Sequence, residues 1–155
     1  MEFSDFQCPY CGQLAARLDS ARTMYADRLS TVHRHFPVRS AASVTAAHAS
    51  ECAAQQGRFW EMRSELYSDQ DAITRGRWND LAERAGVNDL QAFNTCMALQ
   101  TGSPSLAADI AAGRRLRVQA TPTIFINGTR IVGAPPMEDL IAHIELAISA
   151  GQSIP

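Results

Sequence analysis

Apolar positions recur at helical intervals over residues 13–27, alternate with polar ones over residues 30–38, and return to helical spacing in several broken stretches between residues 41 and 118. The chain opens on a short apolar stretch, Met1-Glu2-Phe3-Ser4-Asp5-Phe6, with strand character. Residues 123–126 and 130–132 form two strands of a hairpin across Asn127-Gly128, a dipeptide suited to a tight turn because both positions tolerate positive φ. Residues 136–148 close the chain as an amphipathic helix entered through a proline. The pattern predicts a β-α-β opening, a helical middle punctuated by Gly57, Gly76, Gly86 and Ser103-Pro104, and a hairpin followed by a helix. No internal repeat or low-complexity tract interrupts it.

Chemistry is concentrated where the first strand turns into the first helix. Cys8-Pro9-Tyr10-Cys11 places two sulfurs one helical turn apart, close enough to join in a small disulfide ring. Cys8 falls at the helix end, where unpaired backbone N–H groups and the positive end of the macrodipole favour a thiolate, so it is the expected nucleophile. Pro9 suits the first helical position, since its missing N–H is not needed there. Cys11 is carried inward and is the expected resolving thiol. Tyr10, between the sulfurs, is placed to alter their solvation and hydrogen bonding. About a hundred residues on, Thr121-Pro122 opens the third strand, either as an ordinary strand-opening proline or as backbone brought beside the dithiol. A competing use of Cys8 and Cys11 is half of a zinc site with His33 and His35. Those histidines alternate on a strand, and one surface-facing strand edge accounts for them better.

At 155 residues with 46% apolar content the chain has the material for one globular domain with a real core. A net charge of −2, with the basic residues dispersed along the chain, argues against nucleic acid or an anionic membrane as partner; that all of them are arginine carries no functional reading. There is no apolar run near 18 residues and no charged leader before a short apolar one, so the chain as given contains neither a membrane helix nor a signal peptide. Phe59, Trp60, Met62, Leu66 and Tyr67 have the spacing of a core-packing helix face, and no cofactor is assigned to them. Met137, after Pro135-Pro136, is placed to line the groove around the cysteines.

Four segments in order carry a resemblance: Glu2-Phe3-Ser4-Asp5-Phe6-Gln7-Cys8-Pro9-Tyr10-Cys11, His35-Phe36-Pro37, Gln56-Gly57-Arg58-Phe59-Trp60-Glu61-Met62 and Thr121-Pro122-Thr123-Ile124-Phe125-Ile126-Asn127-Gly128. Over nearly its whole length the chain resembles the compact bacterial form of the DsbA-like thiol:disulfide oxidoreductases of the thioredoxin superfamily. The resemblance implies an α/β thioredoxin fold in a single domain, with residues 1–40 and 118–155 as the thioredoxin core and residues 41–117 as a helical insertion between the β-α-β half and the C-terminal β-hairpin-α half. It implies a cis bond before Pro122, facing the disulfide, with the Thr121 backbone binding an extended substrate strand. Glu2 matches the family's buried proton-handling acid; the alternative is an exposed residue at a frayed chain start. Cys52 and Cys96 are either a second, structural disulfide of the kind related proteins carry in this region, or two buried thiols.

The resemblance further implies thiol-disulfide exchange with cysteine-containing protein substrates and no cofactor. It also implies a monomer, because the dimerisation arm of family isomerases is not visible. The expected partner is a membrane quinone-linked reoxidant, DsbB-like or vitamin K epoxide reductase-like, or else a reductant. The expected compartment is the periplasm or cell envelope, where donated disulfides persist. In that family another strand lies upstream, after a secretion signal or anchor, so Met1 is expected to fall in mid-strand. The oxidising direction is preferred; reductase or isomerase action, and a non-catalytic peptide- or metal-binding module, are the alternatives. A glutathione-dependent transferase of related fold would not require the second cysteine.

Overall fold

The structure is a computed structural model and describes residues 1–99 and 103–151. Strand β1 (Glu2–Ser4) leads into helix α1 (Pro9–Tyr25), a short 3-10 turn (Ala26–Arg28) and strand β2 (His33–His35). Six helices follow: α2 (Ala41–Ala54), α3 (Phe59–Ser68), α4 (Gln70–Thr74), α5 (Trp78–Arg84), α6 (Leu90–Ala98) and α7 (Pro104–Arg115). The chain then returns through β3 (Thr123–Ile126) and β4 (Thr129–Val132) to α8 (Met137–Gly151). The four strands form one sheet in the order β2-β1-β3-β4, with β1 parallel to β2 and antiparallel to β3.

Register decides where the cysteines meet the returning chain. Phe3 pairs with Thr123 in antiparallel sense, so the start of β3 lies beside the end of β1, and Pro122 arrives next to the corner that leads to Cys8. The hairpin closes through Asn127 and Gly128, at φ of 44° and 90°, as the dipeptide predicts. Strand β2 is shorter than the alternation over residues 30–38 suggested, with regular pairing confined to three residues.

The sheet separates two apolar layers. Leu14, Leu18 and Tyr25 of α1 pack with Ile124 of β3 and with Leu140 and Ile144 of α8. On the opposite side Phe3 meets Phe36 and Phe125 edge-on, at centroid distances of 6.1 and 6.0 Å, with Val118 completing the cluster. Gly113 of α7 approaches this cluster so closely that an added Cβ would stand 2.6 Å from the Phe36 ring. A larger core lies within the helical segment, built on Phe6, Met62, Leu66, Ile73, Leu81 and Phe93. The helix starts are capped by short polar side chains: Ser40 accepts from the amides of Ala42 and Ser43, Asp69 from Ala72 and Asp89 from Ala92. A disulfide joins Cys52 of α2 to Cys96 of α6, with Cα atoms 5.7 Å apart.

His33 and His35 correct the sequence expectation. Although β2 is an edge strand, neither ring faces solvent: both side chains are 2% exposed, covered by Phe6 of the active corner and Phe59 of α3. Alternation puts the two on one face but does not say whether a helix covers it. Trp60 also departs from the core role assigned to its helix face. It stays 38% exposed, with the Arg22 and Arg63 guanidinium groups 4.7 and 5.3 Å from the ring centroid, while Met62 and Leu66 are fully buried.

Candidate active site

The corner between β1 and α1 is held by Asp5. Its Oδ1 accepts from the Gln7 amide at 2.8 Å and its Oδ2 from the Val38 and Arg39 amides at 2.9 Å each, which fastens the turn to the loop after β2. The Asp5 carbonyl accepts from the Cys8 amide at 3.0 Å. Cys8 is therefore set in extended conformation at the N-cap of α1, with Pro9 in the first turn, and its carbonyl accepts from Cys11 and Gly12. The sequence signal for Asp5 is that of a turn, an acid two residues before the amide it accepts from.

The Cys8 sulfur does not cap the helix. Its S–H donates instead to the Thr121 carbonyl oxygen, with Sγ 3.4 Å from O, and the Thr121-Pro122 bond is cis. Two hydrogen bonds hold that loop in place, Gly133 N–H donating to Pro122 O at 2.8 Å and Thr123 Oγ1 donating to Ala120 O at 2.7 Å, and Arg17 of α1 ties down the segment after β4 by donating to the Ala134 and Pro135 carbonyls. Tyr10 projects outward, 62% exposed, beside the two sulfurs. Met137 packs on the apolar layer of Leu14 and Leu140.

Cys11 lies behind Cys8, fully buried and, like Cys8, a free thiol. Burial pushes its thiol far above the ordinary range and the neighbouring Cys8 adds to this, while the Asp5 amide, 3.5 Å from Sγ, favours the anion. An anionic Cys11 is thus costly, and the amide that lowers its cost comes from the turn after β1.

Ser4 links Cys11 to a buried charge cluster. Its hydroxyl donates to Glu2 Oε2 at 3.0 Å; Glu2 Oε1 accepts from Arg63 Nη2 at 3.1 Å and from His33 Nδ1 at 3.2 Å. A carboxylate is acceptor-only, so His33 carries its proton on Nδ1. Burial alone would push the Glu2 carboxyl up, but hydrogen bonding and charge from His33 and Arg63 more than offset it and hold the group at about 2. Burial pushes His33 down, against the pull of Glu2, and raises the Tyr67 phenol, which lies against Glu2, Cys11 and Arg63. Glu2 is therefore a locked carboxylate, reached from Cys11 through Ser4. A cleft of about 180 Å³ between α1 and α3, lined by Gly12, Ala15, Arg63 and Tyr67, brings solvent to the edge of this cluster. The sequence offered no signal for Arg63 as Glu2's partner, because the two are brought together only by the packing of α3 on α1 and α2, from which the Arg63 side chain reaches β1.

A thioredoxin family profile matches residues 1–146. Over 152 residues the chain is 36% identical to the Na(+)/H(+) antiporter NhaA 1 of Mycolicibacterium gilvum, covering 94% of this chain and 24% of that protein. Over 159 residues it is 35% identical to the Na(+)/H(+) antiporter NhaA 3 of Salinispora tropica, covering 100% of this chain and 24% of that protein. The chain thus spans about a quarter of the length of the curated relatives it matches. Among solved structures it superposes on oxidised BdbD from Bacillus subtilis with a TM-score of 0.82 at 22% identity, covering 96% of this chain and 85% of that one. A periplasmic thioredoxin-like protein from Salmonella enterica serovar Typhimurium gives 0.75 at 22% identity, with 96% and 82% covered. At such identities the likeness is one of fold.

Proposed function

We propose that this chain, which belongs to the thioredoxin family, exchanges disulfides with cysteine-containing proteins through Cys8 and Cys11, in the disulfide-donating direction. The observation that carries the reading is the Cys8 sulfur 3.4 Å from the Thr121 carbonyl, with Cys11 buried behind it. An incoming extended segment that pairs with the Thr121 backbone would bring its own cysteine onto Cys8.

In that direction a substrate thiolate attacks Cys8 of the Cys8–Cys11 disulfide. The sulfur–sulfur bond breaks, and Cys11 leaves with the electron pair. The Asp5 amide stabilises the departing sulfur until it takes a proton, which burial then retains. A second substrate thiolate attacks the substrate sulfur of the mixed disulfide and releases Cys8. The substrate gains a disulfide and loses two electrons, and the chain ends as the dithiol. Glu2, held as a carboxylate, acts in this scheme as the fixed acceptor that orients the Ser4 hydroxyl.

Regeneration requires an oxidant of disulfide or quinone-linked type, DsbB-like or vitamin K epoxide reductase-like, and the reading places a monomer in the cell envelope. The antiporter names belong to proteins about four times as long. No helix among the described residues is long and apolar enough to cross a membrane, and the stretch shared with those relatives is read here as a redox module. Equilibration of the Cys8/Cys11 pair with glutathione buffers tests the direction. A potential near about −120 mV supports donation; one near about −270 mV supports a reductase instead.

A further inference from the structure

Cys52 and Cys96 stand outside the exchange chemistry, and they are not alone. His48 precedes Cys52 by one turn of α2, so both side chains leave the same helix face, and Cys96 faces them from α6. His48 Nε2 lies 3.6 Å from Cys52 Sγ and donates to the Cys96 carbonyl at 3.0 Å. The ligating atoms of the three residues all lie within 4.8 Å of one another. Gln55 Nε2 donates to Cys96 Sγ at 3.4 Å. The cluster borders a cleft of about 430 Å³ whose walls include His48, Gln55, Cys96 and Leu99.

We propose that reduction of the Cys52–Cys96 disulfide opens a site for one thiophilic divalent cation of the zinc type, bound by Cys52 Sγ, Cys96 Sγ and His48 Nε2. Two thiolates and an imidazole are three of the four ligands of a tetrahedral zinc centre, with metal–sulfur bonds of about 2.3 Å and metal–nitrogen bonds of about 2.0–2.1 Å. Bonds of that length at tetrahedral angles set neighbouring ligand atoms roughly 3.5 Å apart. The separation of His48 Nε2 from Cys52 Sγ already meets this requirement, and the broken disulfide lets the two sulfurs part. Gln55 supplies the hydrogen bond to a ligating sulfur that tunes such centres. Glu51 lines the same cleft, but its carboxylate accepts from His35, Ser103 and Ser105, so the fourth position faces the cleft and takes water or a solute ligand. The sulfur ligands favour zinc over magnesium or calcium.

The electron balance is simple. A dithiol reductant gives two electrons and two protons, becomes a disulfide, and leaves Cys52 and Cys96 as thiols; the cation then displaces both thiol protons, and the His48 proton moves from Nε2 to Nδ1 as Nε2 gives up its hydrogen bond to the Cys96 carbonyl. Because one sulfur pair cannot hold both a disulfide and the metal, oxidation expels the cation. The site is independent of the direction in which Cys8 and Cys11 work.

The test uses a Cys8→Ser/Cys11→Ser chain, which removes the other dithiol, titrated anaerobically with Co(II) as a spectroscopic zinc substitute. After reduction with a phosphine, one Co(II) per chain is expected to give thiolate-to-cobalt charge transfer and tetrahedral ligand-field bands, both removed by Zn(II). The oxidised form of the same chain, which keeps its disulfide and fold, is expected to give neither. His48→Ala is expected to weaken the reduced site by about tenfold or more and to reduce the tetrahedral band intensity. Absence of the charge-transfer band after reduction, a stoichiometry of two chains per metal, or unchanged affinity in His48→Ala would each overturn the proposal.

Discussion

Cys8 Sγ and the Thr121 carbonyl oxygen lie 3.4 Å apart although 113 residues separate them in the chain. In the exchange proposed for this chain, the contact would set the nucleophile beside a stretch of backbone that an extended peptide could pair with, so that thiol and strand would act on the same substrate residue. Cys11 is fully buried.

The division of labour between the sulfurs predicts opposite outcomes for two serine substitutions. Cys8→Ser is expected to abolish exchange with a thiol-containing peptide. Cys11→Ser is expected to accumulate mixed disulfides through Cys8, visible by mass spectrometry under non-reducing conditions. Normal turnover by Cys11→Ser would reverse the assigned roles.

Removing the Glu2 charge leaves Arg63 and His33 buried beside a neutral group. Glu2→Gln is expected to destabilise the fold by about 3–5 kcal/mol, toward the lower end because Asp19 still pairs with Arg63 at 3.2 Å. The double variant Glu2→Gln/Arg63→Met removes the stranded cation and is expected to recover part of the loss. Urea unfolding of the two proteins compares them directly, and equal stabilities would argue against charge stranding as the cause.

Stability should depend on pH along both limbs. Glu2 and Glu51 are each held at about 2 against an ordinary 4.5, Glu51 chiefly by the hydrogen bond from His35, and burial holds His33 below its ordinary 6.5. All three folded-state values lie below the unfolded ones, so their contributions are complete above the unfolded values and are lost as pH falls. Stability is expected to decline as pH drops below 6.5 and more steeply from 4.5 toward about 2. Cys11 has the opposite sign: its raised value adds stability to the reduced form that is lost as pH rises above 9.0. Urea midpoints across the pH range, for oxidised and reduced protein, check both limbs. An alkaline loss of equal size in the disulfide form would remove Cys11 as its source.

Gly113 has no room for a side chain. Gly113→Ala would force a Cβ to 2.6 Å from the Phe36 ring and 3.3 Å from Phe3, and is expected to cost about 1–3 kcal/mol by overpacking. Phe36→Leu in the same background should relieve part of that cost, and thermal unfolding of the pair measures it.

The Cys52–Cys96 link spans a sequence separation of 44. Replacing both by alanine is expected to lower stability by about 2–4 kcal/mol under oxidising conditions, with little further change on adding reductant. Calorimetry with and without reductant makes the comparison. A reductant-induced drop in the alanine variant as large as that of the parent chain would place the effect at another bond.

The segments read best from sequence were those specified by near neighbours. Pro9 and the C-x-x-C spacing announced the helix start, and Asn127-Gly128 announced the hairpin. His33 and His35 were misread because a period of two reports shared orientation only; Phe59, which covers them, comes from another part of the chain. Trp60 was misread for the converse reason, since helical spacing placed it near the core while its edge position left it partly in water.

By itself the sequence determined the dithiol, its place at a helix start, the turn that closes the hairpin and the order of the elements. These are short-range matters of φ preference, missing donors and side-chain period. Tertiary structure alone decided that Thr121 presents its carbonyl to Cys8, that Glu2 is clamped by Arg63 from 61 residues away, and that Cys52 meets Cys96 beside His48. The physical reason is that a charge or a thiol takes its energy from desolvation and from partners in space, and packing supplies both.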